Sequence, residues 1–282
     1  MPEVAYVNGR VVPLARARVS VEDRGFQFGD GVYELIRSYQ GRLFRVPEHI
    51  ARLQRSAAAI NLPLPLAPEA LRAAIDRLYQ RGGFPDGQIY VQLTRGVAPR
   101  QHLPPDEPAP TLVMTARALG PVPEGDRTQG VAVITMPDIR WGRCDIKSIN
   151  LLPNILMKQQ ARRAGAYEAV LLRDGRVTEG TSSNLFVVEQ GRLHTPPQGP
   201  EILGGITRDD VLALARQLRL EVLEAPVPEG LLRVAPEVFL TATTVGLLPV
   251  TRIDEVPVGS GEPGEITKLL VAEFRQLTGS SP

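Results

Sequence analysis

The sequence predicts an α+β protein in two domains. Strand-like and helix-like runs come in blocks rather than in strict alternation, which argues against a doubly wound parallel sheet. A proline- and glycine-rich stretch, residues 120–130, breaks both patterns and sets a boundary between domains 1–120 and 121–282. With 282 residues, 43% of them hydrophobic, the chain can bury a sizeable core.

The elements follow from local signals. VAYVNGRVVP reads as a hairpin on an Asn8-Gly9 turn, because that pair tolerates the positive φ angles of a tight two-residue loop. VYELIRSY and LFRV read as strands joined at Gln40-Gly41. Pro47 opens a helix to about Ile60, and PEALRAAIDRLYQRGG is a second helix ended by glycine. QIYVQLTRGV and TLVMTARAL complete the strands of the first domain. The second begins with VAVITM and a helix over 153–165. Two hairpins then turn at Asp174-Gly175 and Gln190-Gly191. A helix starts at Thr207, EVFLTATT is a strand, and EITKLLVAEFRQL is a terminal helix.

Composition excludes some partners. The net charge is +1 and dispersed, so nothing marks a nucleic-acid or membrane surface. No apolar run reaches membrane-spanning length, and the first residues lack a charged-then-apolar leader pattern. Cys144 is the single cysteine, which fits a reducing cytoplasm and excludes an internal disulfide. Three scattered histidines give no zinc-site spacing.

Lysine is scarce: of 32 basic residues, only Lys147, Lys158 and Lys268 are lysines. Lys147 stands in a compact, mostly uncharged stretch, DIKSINLLPN. A partly desolvated amine there can condense with an aldehyde, although a solvated loop lysine is the ordinary alternative. In VTEGTSSN, Glu179 ends a strand and can keep a proton on a pyridine nitrogen, or it is a hairpin glutamate. ILGGITRDD enters a helix through two glycines, so the backbone N–H groups near Ile206 and Thr207 suit a phosphate. The stretch lacks a P-loop lysine. TATT, residues 241–244, ends a strand and offers hydroxyls to the same anion, or follows threonine's ordinary strand preference. Arg52 can join the anion, or can pair with Glu48 one helical turn away. TRGVAPRQH carries Arg100 and His102, which can clamp a carboxylate, and Tyr33 can add a phenolic donor. His49 and His194 have no chemical company and are assigned to structure, and Cys144 reads as a small buried hydrophobe.

Taken together, FGDGVYE, EHIARL, YVQLTRG, DIKSINLLPN, EAVLLRDGRVTEGTSSNLF and LGGITRD resemble the fold type IV pyridoxal-phosphate enzymes, in the same order and over essentially the whole chain. RGVAPRQH and IRWGRCDIKSINLL are most similar to bacterial D-amino acid aminotransferases. The resemblance implies a smaller N-terminal α/β domain and a larger C-terminal domain with a β-barrel-like core. It implies pyridoxal 5'-phosphate held as a Schiff base on Lys147, with Glu179 at the ring nitrogen and Leu203 against the ring. Arg52, Ile206, Thr207 and Thr243 match the phosphate positions. Tyr33, Arg100 and His102 match the trap for the substrate carboxylate. The Arg-x-His loop in relatives comes from the neighbouring subunit, which implies a homodimer with shared active sites. One departure is Ala242, where close relatives often carry serine.

The implied reaction is ping-pong transamination between a D-amino acid and a 2-oxo acid through the Lys147 internal aldimine. Three alternatives remain at this level. Two use the same scaffold: a branched-chain L-aminotransferase and an aminodeoxychorismate lyase. The third is a non-enzymatic phosphate- or nucleotide-binding protein, which explains neither Lys147 nor Glu179.

Overall fold

The computed structural model describes residues 3–279. Its contacts divide the chain into two compact units: Met1–Gly120 with Ile146–Asn150, and Pro121–Asp145 with Leu151–Pro282.

The first unit contains β1 (Val4–Val7), β2 (Arg10–Pro13), α1 (Arg24–Phe28), β3 (Gly31–Tyr39), β4 (Arg42–Leu43), α2 (Val46–Ala58), α3 (Pro68–Gly82), β5 (Gly87–Thr94) and β6 (Thr111–Ala118). Its six strands form an antiparallel sheet in the order β2-β1-β6-β5-β3-β4. The expected turns are present, with φ of 43° and 92° at Asn8 and Gly9, and 48° and 81° at Gln40 and Gly41. LFRV is shorter than expected, because Arg45 adopts φ 55° and turns the chain into α2. Ile36, Ile89 and Met114 of the sheet pack with Leu53, Leu71 and Leu78 of the helices in one buried cluster.

The boundary drawn from sequence put Lys147 in the second domain. Its segment groups with the first unit instead. The cause is backbone pairing to β3: Tyr33 N donates to Lys147 O at 2.9 Å, and Ile149 N donates to Gly31 O at 3.1 Å. Sequence patterns register a strand's own periodicity and miss a two-bond return of this kind.

The second unit contains α4 (Glu124–Thr128), β7 (Val131–Pro137), α5 (Leu152–Arg163), β8 (Glu168–Arg173), β9 (Arg176–Gly180), β10 (Asn184–Glu189), β11 (Arg192–Thr195), α6 (Ile206–Gln217), β12 (Val222–Glu224), β13 (Val227–Pro228), α7 (Glu229–Val234), β14 (Glu237–Ala242), β15 (Gly246–Ile253), β16 (Val256–Pro257) and α8 (Glu265–Thr278). Ten strands join one mixed sheet. Its path is β12-β11-β10-β14-β15-β7-β8-β9-β13, with β16 on β15. The path is open, yet it must curl. β9 and β10 are five strand spacings apart along it, about 24 Å if flat. Only residues 181–183 connect them, and four Cα steps reach about 14 Å at most. This bend is the barrel-like character of the unit, and it sets Glu179 at the end of β9 beside Asn184 at the start of β10. β15 went unassigned in the sequence because Pro249 interrupts a strand-like run.

One backbone position tests how tightly the first unit is built. Gly96, between β5 and the Arg100 loop, has φ +90°, and an added Cβ would lie 1.8 Å from Ala109 O. Gly96→Ala should lower stability by about 1–3 kcal/mol, read from the urea midpoint. An unchanged midpoint would show that the loop relaxes freely.

Candidate active site

Three side-chain groups are candidates for the chemistry, two anchored on regular elements and one on a loop. The first is on β3 and α2. Lys147 is half-buried, and its Nζ lies 4.5 Å from the centre of the Tyr33 ring. Its backbone N donates to Ser56 Oγ of α2 at 3.1 Å. One residue along β3 from Tyr33, on the opposite face, Glu34 is buried. Arg52 grips it with both arms of its guanidinium, at 2.7 and 2.8 Å, and His49 Nδ1 lies 2.7 Å from the same carboxylate. Arg52 is therefore a buried partner of Glu34. Glu48 pairs with Arg45 instead, at 3.4 Å. His49 also has company after all. Sequence could not show it, since Glu34 and His49 are fifteen residues apart and meet only through the packing of α2 on β3.

Burial opposes ionisation of Glu34, but the attraction of Arg52 and the hydrogen bonds from Arg52 and His49 outweigh it and hold the carboxyl down at about 2. Burial keeps His49 below the usual histidine range. Glu34 pulls upward, and the charges of Arg52 and Lys147 push down again. The cluster thus holds a permanent cation, an anion and a neutral imidazole.

The second group surrounds Glu179 in the other unit. Glu179 Oε1 makes a short ion pair with Arg140 NH1. Its Oε2 accepts from Asn184 Nδ2 and from Leu203 N, each at 3.1 Å. Arg140 is in turn held by Asp138, at 2.8 and 2.9 Å, and by the Glu201 carbonyl at 3.1 Å. Burial would raise the Asp138 carboxyl, but Arg140 overrides it and keeps the group below its ordinary value. The sequence reading missed Arg140 and Asp138. Their Asp-x-Arg spacing in the loop after β7 is a faint signal. The turn after Glu179 hangs on Glu168, itself fully buried, which accepts from Thr181 Oγ1 (2.7 Å), Ser182 N (2.5 Å) and Ser183 Oγ (2.9 Å).

In the same unit, Gly205 is the N-cap of α6 and supplies no side-chain cap, so Ile206 and Thr207 are its first two residues. A Cβ at Gly205 would lie 1.9 Å from Asn184 Oδ1, so only glycine fits. Thr243 is in the turn between β14 and β15, half-buried, beside Ala242. Cys144 is buried, its Sγ 3.3 Å from Trp141 O, and burial pushes its thiol up to about 11. It stays a thiol, as its reading as a buried hydrophobe implies.

The third group, on the loop after β5, is exposed. The Arg100 guanidinium stacks 4.6 Å from the Phe28 ring centre, and the His102 ring lies 5.9 Å from the same ring. Tyr33 meets Lys147 and Tyr90 rather than this pair.

This inventory comprises an amine, a buried carboxylate paired with arginine, an uncapped helix N-terminus and a half-buried leucine. Pyridoxal phosphate needs an imine-forming amine, a partner for its ring nitrogen, an anion site and apolar contact, so the residues fit the group. Among the described residues no cluster suits a metal ion, and no helix is long and apolar enough to cross a membrane.

The comparisons agree on the class. The family model for class IV amino-transferases matches residues 31–253, and the chain belongs to that family. It is an aminotransferase. The D-alanine aminotransferase of Bacillus licheniformis is 47% identical over 266 residues, covering 93% of this chain and 92% of that protein. Among solved structures, the branched-chain amino acid aminotransferase of Escherichia coli superposes with a TM-score of 0.93 at 29% identity, covering 100% of this chain and 97% of that one. The branched-chain enzyme of Thermobaculum terrenum, solved in its PLP-form, gives 0.87 at 27% identity, covering 99% of this chain and 95% of that one.

Glu34 yields a pH prediction. Its folded pKa is below its unfolded one, so its stabilisation is present above about pH 4.5 and is lost as pH falls toward about 2. The stability gap between wild type and Glu34→Gln, from urea unfolding, should therefore narrow as pH falls from about 6 to about 3. A gap independent of pH would contradict the ion pair.

Proposed function

We propose that this aminotransferase moves the amino group of a D-amino acid, D-alanine foremost, to a 2-oxo acid such as 2-oxoglutarate, with pyridoxal 5'-phosphate as its cofactor. The observation that carries the reading is the 47% identity to a D-alanine aminotransferase over nearly the full chain. The two branched-chain aminotransferases share the fold at 29% and 27% identity, and a shared fold does not set the substrate.

When bound, the cofactor supplies an electron-poor ring that accepts the amino group and spreads the charge left by the departing α-proton. Lys147 Nζ would hold the cofactor's aldehyde carbon, and as a free amine it would serve first as base for the α-proton and then as acid. Its place over the Tyr33 ring keeps the amine partly shielded from water. Glu179 would hold the proton on the ring nitrogen, with Arg140 paired to it as counter-charge. Leu203 would offer the ring an apolar face. The N–H groups of Ile206 and Thr207 and the Thr243 hydroxyl would hold the phosphate, with Arg52, which also grips Glu34, as its cation. Ala242 adds no hydroxyl to this set.

Tyr33, Arg100 and His102 receive the α-carboxylate. Fixing that group on one side points the α-hydrogen of the D-enantiomer at Lys147, whereas the L-enantiomer presents its side chain. The exposed Arg100 loop lies among bare apolar side chains, Phe26 at 77% and Leu103 at 80% exposure. Such a patch fits a second copy of the chain, so the enzyme is a homodimer in which this loop serves the neighbouring site. A cytoplasmic location suits the single cysteine.

Steady-state assays of D-alanine and L-leucine, each with 2-oxoglutarate, test the reading. D-alanine should be preferred in kcat/KM by about a hundredfold or more. A preference for L-leucine would establish the branched-chain alternative. Lys147→Ala should abolish turnover with either, and full activity in that variant would remove Lys147 from the chemistry.

A further inference from the structure

The loop proposed to hold the substrate carboxylate is exposed and carries long side chains, which by themselves sample many rotamers. Its backbone is nevertheless pinned from beneath by one buried arginine. Arg24 opens α1, and only 3% of its surface is exposed. Its NH1 donates to Gln101 O at 2.5 Å and its NH2 to His102 O at 3.2 Å. Its Nε donates to Asp30 at 2.8 Å, and its guanidinium lies 4.8 Å from the centre of the Phe28 ring. Phe28 is the ring on which Arg100 and His102 rest. Asp30 is held a second time by Arg95 at 2.8 Å, and Arg95 reaches the carbonyls of Ile60 and Asn61 just past the end of α2. Asp23 caps α1 at Gly25 N and accepts from Thr94 of β5, so the mount is joined to the sheet.

We infer that Arg24 is the positioning residue of the carboxylate clamp, fixing the backbone of Gln101 and His102 and the Phe28 ring so that Arg100 and His102 are set before substrate arrives. The inference rests on Arg100 and His102 being that clamp. Arg24 touches neither substrate nor cofactor. Its three donors match two carbonyls and a carboxylate, a pattern that the single ammonium of lysine cannot span. Displacing a binding group by about an ångström costs up to about a hundredfold in rate.

The test uses holoenzyme carrying Arg24→Met, Arg24→Lys, Arg100→Ala or the pair Arg24→Met with Arg100→Ala. Arg24→Met should raise KM for D-alanine about ten- to hundredfold, change kcat far less and leave the resting visible spectrum unchanged. Amide hydrogen exchange over 97–103 should speed up in the absence of substrate. In the Arg100→Ala background, adding Arg24→Met should have little further effect on KM, because the two act on one interaction. Arg24→Lys keeps the charge beside Asp30 and should show the same KM defect, which preserves the test if the methionine variant fails to fold. Unchanged KM in both Arg24 variants, or effects that multiply with Arg100→Ala, would overturn the inference while leaving the clamp intact. Unchanged kcat/KM in Arg100→Ala would instead overturn the clamp, and the role of Arg24 with it.

Discussion

The structure depends most on a short backbone return: residues 147–149 lie against the first residues of β3, and Lys147 is placed by it. The carbonyl of Lys147 accepts from Tyr33, Ile149 donates to Gly31, and Ser148 bridges Val32. The fit leaves no slack. A Cβ on Gly31 would meet Leu93 O at 2.6 Å and Ile149 Cδ1 at 3.1 Å. An amine on a free loop would lose several rotatable bonds on every encounter with its target. Here the backbone is already ordered, and what remains to settle is the side chain above the Tyr33 ring.

In each unit, several shielded carboxylates are matched by arginine, whereas Glu168 and Asp23 are held by hydroxyl and backbone N–H donors. Glu34 is held by Arg52, Asp30 by Arg24 and Arg95, and Glu179 and Asp138 by Arg140. A carboxylate taken out of water needs an opposite charge or several hydrogen bonds to offset its lost hydration. Guanidinium groups suit the task because they stay charged at any accessible pH and offer several fixed donors. A lysine amine can lose its proton, which unfits it for a permanent counter-charge and suits it to covalent chemistry. The same logic links the proposed clamp to the fold: Arg24 satisfies loop carbonyls while Asp30 neutralises it from behind.

Much of this was legible in the sequence because it is local. The Asn8-Gly9 and Gln40-Gly41 turns, the proline-opened α2 and the glycine-ended α3 are written in neighbouring residues. So are the Gly-Gly entry to α6 and the carboxylate closing β9. What escaped is set by contacts between distant segments. Glu34 with His49, Arg140 with Glu179, and Glu168 with the 181–183 turn are each separated by at least a dozen residues. The i,i+4 rule suggested Glu48 for Arg52, yet a buried carboxylate on β3 attracts the guanidinium more strongly than an exposed one on the same helix. Resemblance to a family suggested the candidate reacting groups, and the structure adds what holds them.

Lys147 is proposed to be the one lysine of three that bonds covalently to the cofactor. Borohydride reduction of the holoenzyme, digestion and peptide mass analysis address it directly. The account predicts a phosphopyridoxyl adduct on the peptide containing Lys147 and unmodified Lys158 and Lys268. An adduct on either of those two, or none anywhere in a protein that transaminates, would contradict it.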